Sequence, residues 1–159
     1  MDIYEYAMQM EKDGENYYRE LSHKTANVGL QSILTMLANA EVKHYNVFQS
    51  MKKDQGIPDT DTEILSNVKN IFIRMREEEQ TGVDSSQTEL YRKAQEIEKK
   101  TRDFYLEKAD EVNASQKPVF IRIADEEKKH YLILEKIIDF VSRPETWLEN
   151  PEWYHLEEY

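Results

Sequence analysis

The chain has no cysteine, only four glycines and four prolines among 159 residues, and no long apolar run. Without cysteine there are no disulfides, no thiolate metal sites and no iron–sulfur clusters. So little glycine and proline leaves scant turn chemistry for a β-sandwich or barrel, and long amphipathic helices are expected instead. No segment approaches the roughly 18–20 apolar residues that span a bilayer. Positive charge is also short. Lys and Arg number 21 against 32 Asp and Glu, a net charge of −11, which argues against charge-driven binding to nucleic acid or an anionic membrane. The N-terminus, Met1-Asp2-Ile3-Tyr4-Glu5, is acidic and amphipathic rather than a signal peptide, and a cytoplasmic protein is expected.

What the chain does contain, it contains twice. Leu37-Ala38-Asn39-Ala40-Glu41-Val42-Lys43-His44-Tyr45 has a second copy in Ile123-Ala124-Asp125-Glu126-Glu127-Lys128-Lys129-His130-Tyr131. Each copy places a Glu three residues before a His, a spacing that puts both side chains on one helical face. The surrounding stripes are Leu34, Leu37, Glu41, His44, Phe48, Met51 and Phe120, Ile123, Glu127, His130, Leu134, Ile137. Both advance by alternate steps of three and four, so Glu and His occupy places in a core-facing stripe.

Two further helices carry a single inward acid each. The first, capped by Asp2 and expected to run to about Ser22, has the stripe Tyr4, Ala7, Glu11, Gly14, Tyr18, Leu21. The third long helix, expected from a capping box at Ser86-Gln87-Thr88-Glu89 to about Val112, has Tyr91, Ala94, Glu98, Thr101, Tyr105. These two match at a shift of 87 and the Glu–His helices at a shift of 86, so the chain is a duplicated helix pair. Gly14 suits either a close helix contact or room for whatever Glu11 holds.

The second helix is expected over about Leu30–Asp54, stopped by Gly56-Ile57-Pro58. Residues 55–85 then form a long connection with a short crossover helix over about 62–78. Such a connection lets the second and third long helices run parallel. The fourth, with Pro118 in its first turn, runs to about Val141. The expected architecture is therefore an all-α four-helix bundle over 1–141. An aromatic tail over 142–159 is expected to pack on the bundle or on a partner subunit.

Glu11, Glu41, His44, Glu98, Glu127 and His130 together form the ligand set of carboxylate-bridged two-metal sites in helical bundles. Four ionised carboxylates balance two divalent cations; uncompensated, each buried charge costs several kcal/mol. Carboxylate with imidazole suits iron or manganese, and zinc is compatible. A lone Glu three before a His means little in so acidic a chain. Two in equal register, matched by two lone acids, mean more. Tyr18 and Tyr105 are either hydrogen-bond donors to this set or ordinary aromatic core. His23 reads as a helix-dipole partner at the end of the first helix, and nothing is assigned to His155.

The segments Glu11 to Tyr18 (Glu-Lys-Asp-Gly-Glu-Asn-Tyr-Tyr), Glu41 to His44 (Glu-Val-Lys-His), Glu98 to Tyr105 (Glu-Lys-Lys-Thr-Arg-Asp-Phe-Tyr) and Glu127 to His130 (Glu-Lys-Lys-His) resemble those of the ferritin-like superfamily. Within it they resemble the rubrerythrins. The resemblance implies a non-haem di-iron centre that reduces hydrogen peroxide or dioxygen, with Glu41 and Glu127 bridging the metals. It also implies a homodimer. Rubrerythrins relay electrons through a rubredoxin-like four-cysteine iron site. This chain lacks those cysteines, so its electrons are expected from an external donor protein. The alternative is a protein that binds or oxidises iron without peroxidase turnover.

Overall fold

The computed structural model describes residues 1–58, 64–78 and 85–142. Their order is α1 (Ile3–Lys24), α2 (Val28–Lys52), α3 (Leu65–Glu77), a 3-10 turn (Ser85–Gln87), α4 (Thr88–Lys108) and α5 (Lys117–Ser142), with no strand among the described residues. The expected tail from residue 143 onward, with its four large aromatics, lies outside the described residues, as do parts of the connection.

Local chemistry starts the helices. Asp2 accepts from the Glu5 backbone N–H at 2.8 Å, and Asn27 accepts from that of Leu30 at 2.9 Å. The Asn113 side chain takes the Gln116 N–H at 3.0 Å just before α5. α4 departs from expectation. Gln87, not Ser86, holds its N-cap position and makes no side-chain cap bond. The Gln87 amide donates instead to the Lys24 carbonyl at 2.7 Å, tying the start of α4 to the end of α1. At the end of α2 the residue with positive φ is Asp54 (φ 56°), not Gly56. Asp54 N–H reaches the Met51 carbonyl and Gln55 N–H that of Ser50, which closes a Schellman motif.

Contacts between helices set their directions. The Tyr17 hydroxyl donates to the Leu90 carbonyl at 2.8 Å, while Tyr105, near the other end of α4, donates to Glu11 at 2.8 Å. α1 and α4 therefore run in opposite directions. Since α1 and α2 form a tight antiparallel hairpin, α2 and α4 run the same way, as the long connection allows. α3 seals one end with Val68, Ile71, Phe72 and Met75 buried. Gly29 makes room for it: a Cβ there would meet Met75 Sδ at 2.5 Å.

The apolar interior falls into two clusters. One gathers Leu30, Leu34, Leu37, Phe72, Ile133 and Ile138 near α3. The other gathers Val47, Phe48, Tyr105, Phe120 and Ile123 at the opposite end. A layer of buried acids and imidazoles lies between them.

Candidate metal centre

Each long helix delivers its acid to this layer. Glu11, Glu41, His44, Glu98, Glu127 and His130 are all 2 % exposed or less. Among the described residues, two groups of four can each offer donor atoms within 4.8 Å of one another. One is Glu11, Glu41, His44 and Glu127; the other is Glu41, Glu98, Glu127 and His130. Glu41 and Glu127 belong to both.

The two imidazoles lie 6.0 Å apart between ring centres, with planes 14° from parallel. Both turn Nδ1 toward the acids. His44 Nδ1 lies 2.8 Å from Glu127 Oε1 and 3.4 Å from Glu11 Oε1. His130 Nδ1 lies 3.2 Å from Glu41 Oε1, 3.7 Å from Glu98 Oε1 and 3.9 Å from Glu127 Oε2.

The tyrosines act crosswise. Tyr18 donates to Glu98 and Tyr105 donates to Glu11, each on the other hairpin. Seven residues along one helix is about 10 Å, too far for Tyr18 to serve Glu11. The antiparallel neighbour brings Glu98 to it instead.

Sequence reasoning missed one support. Glu126 Oε2 sits 2.5 Å from His44 Nε2, fixing the ring that Nδ1 presents inward. Adjacent helical residues point about 100° apart, so beside Glu127 this acid reads as part of a solvated face. Its equivalent in the other half is Ala40, a place where no acid is available. At Gly14 a Cβ would stand 3.0 Å from Glu41 Oε2, so the glycine allows a close contact between α1 and α2 and its neighbour there is the Glu41 carboxylate. His23 sits in the last turn of α1, away from this group.

Crowding the acids changes their proton affinity. Burial, then the charge of Glu127, pushes Glu11 above the usual carboxylate range. Burial with the charges of Glu11 and Glu98 pushes Glu41 well above it, and burial with Glu41 and Glu98 does the same to Glu127. Glu98 moves the other way. Burial opposes its charge, but Glu127, His130 and the Tyr18 hydroxyl hold its carboxyl low. Burial pulls both imidazoles down, yet the surrounding acids raise them well above their ordinary value.

The donor set fits a pair of cations. Glu11 Oε2, Glu98 Oε2 and Glu127 Oε2 are buried without a hydrogen bond. Orphaned carboxylate oxygens in a dry interior are costly unless something positive reaches them. Two divalent ions would cancel the four acids.

A helical bundle with this cluster at its centre is of the kind that carries dinuclear carboxylate sites. The family profile described as Rubrerythrin matches residues 2–138, and the chain belongs to that family. No curated protein and no solved structure matches it. Membership implies a di-iron site. No helix among the described residues is long and apolar enough to cross a membrane.

Proposed function

We propose that the protein is a dinuclear non-haem iron protein that reduces hydrogen peroxide or dioxygen. The observation that carries this reading is the pair of overlapping four-donor groups with Glu41 and Glu127 in common. Glu11, Glu41, His44, Glu98, Glu127 and His130 would hold the ions, with Glu41 and Glu127 shared between the two donor groups and one imidazole in each. Manganese or zinc suits the same donors. Two ferrous ions, when bound, supply the two electrons that cleavage of an O–O bond takes.

The chain supplies the setting. The apolar clusters on either side keep bulk water out. Tyr18 and Tyr105 orient Glu98 and Glu11 through their hydroxyls. Glu126 holds the His44 ring. Burial and neighbouring acids raise the proton affinity of Glu41 and Glu127 in the metal-free protein, and cations bound there would compete with those protons. Electrons come from a separate donor protein, since the chain has no cysteine to hold a relay. We place it in the cytoplasm as a homodimer, with residues 142–159 as a tail on a bundle of 1–141.

The missing relay also favours a second reading, an iron-handling protein that oxidises or holds iron without reductant turnover. Elemental analysis and size separate the two. Two irons per chain in a small oligomer, with peroxide consumed faster than by free ferrous ion, are expected for the redox protein. Many irons per chain in a large hollow assembly would replace it with the storage reading. Fewer than one metal per chain after reconstitution would remove both.

A further inference from the structure

The duplication lets one half of the molecule act as a control for the other. Between α4 and α5 lies a cavity of about 300 Å³ that reaches Glu98 and Glu127, with Lys99, Arg102, Lys128 and Tyr131 among its walls. The matching groove between α1 and α2, about 510 Å³, has Lys12, Glu15, Val42 and Tyr45 at the equivalent places. Its lining includes neither Glu11 nor Glu41. Two of these four places differ in charge: Arg102 answers Glu15, and Lys128 answers Val42.

The chemistry of the two grooves differs accordingly. Glu15 is held by Lys12 at 3.3 Å and by Arg19 at 2.7 Å. Arg102 gives Nη2 to its neighbour Asp103 at 3.3 Å, and its Nε is buried without an acceptor. A chain of net charge −11 has thus gathered three cations around the cavity that reaches the centre. With two divalent ions bound, the four acids at the centre are balanced, and the wall cations set the local potential. The same cations repel an incoming metal ion.

We propose that the α4–α5 cavity is the entrance to the metal centre and that it selects small inorganic anions, with Arg102 as the residue that sets the preference. This rests on the metal reading above, since the bound ions are what balance Glu98 and Glu127 behind the wall cations.

The absence of cysteine supplies a clean probe. Leu132→Cys places a single thiol in this cavity, and Asn46→Cys places one at the equivalent point of the other groove. In zinc-loaded protein, an anionic methanethiosulfonate should label the first about fivefold faster than a cationic one at low salt, with the ratio near one or reversed at the second. In iron-loaded ferric protein, azide binding followed by its charge-transfer absorption should slow at least tenfold once Leu132→Cys is labelled. It should change less than twofold once Asn46→Cys is labelled. Arg102→Glu, in a chain that otherwise keeps its cavity, should slow azide about fivefold and reverse its salt dependence; Arg102→Lys should restore it. Equal labelling ratios at the two thiols, or azide binding indifferent to the label on Leu132→Cys, would overturn the proposal. Failure of wild-type protein to take up zinc or iron would sink the metal reading instead, and is seen in elemental analysis before any label is added.

Discussion

A methyl group at Gly14 would stand 3.0 Å from Glu41 Oε2. Alanine inside a helix is otherwise worth about 0.5–1 kcal/mol over glycine. Gly14→Ala should therefore leave the metal-free melting temperature unchanged or slightly higher while weakening ferrous-ion affinity about tenfold. Melting and metal titration of the same preparation check this; a parallel fall in both would make Gly14 a packing position only. Glu126 acts at the same scale. Its carboxylate lies 2.5 Å from His44 Nε2, and outer partners of metal-binding imidazoles are worth about 10–100-fold in affinity. Glu126→Ala should lose about tenfold in cobalt(II) affinity at the His44 end, visible as one tight and one weakened site. Two sites weakened equally, or neither, would deny Glu126 this role.

Among the helices, the end of α2 carries correctable strain. Asp54 adopts φ 56°, a region that favours glycine. Asp54→Gly should stabilise the protein by about 0.5–1 kcal/mol, read as a higher denaturant midpoint with unchanged slope. Sequence signals at such boundaries are weak because neighbours compete. Gly56 and the Ser86 box offered good local chemistry, but the chain turns two residues earlier at Asp54. At α4, the Gln87 side chain finds the Lys24 carbonyl, a partner that exists only once the hairpins have docked. The inward stripes were easier to read, since a period of 3.6 residues carries over twenty or more positions in each long helix.

Across the whole molecule, the buried cluster makes stability depend on pH and on metal. Glu11, Glu41 and Glu127 are raised above the ordinary carboxylate range, and His44 and His130 are raised above the ordinary imidazole value. Above about pH 5 the folded metal-free protein therefore binds more protons than the unfolded chain. Its stability must fall as pH rises through the raised values. Glu98, held low, contributes the opposite slope only below the usual carboxylate range. Metal-free protein should melt at a lower temperature at pH 8 than at pH 6. Iron or manganese should raise melting most at pH 8, where the ions replace protons already lost. A metal-free melting temperature that climbs over this range would contradict the charge arrangement described.

Periodicity and duplication in the chain were enough to specify an all-α bundle, its four long helices, and the six acids and imidazoles that face inward. Those properties are local: each depends on which face of a single helix a residue occupies. Packing decided the rest. It set Tyr18 on Glu98 rather than near Glu11, brought Glu126 to His44, pressed Gly14 against Glu41, and brought the α4–α5 cavity to Glu98 and Glu127. Each of these depends on which helix lies beside which and in what direction, and that is settled by burial of the two apolar clusters rather than by any spacing along the chain.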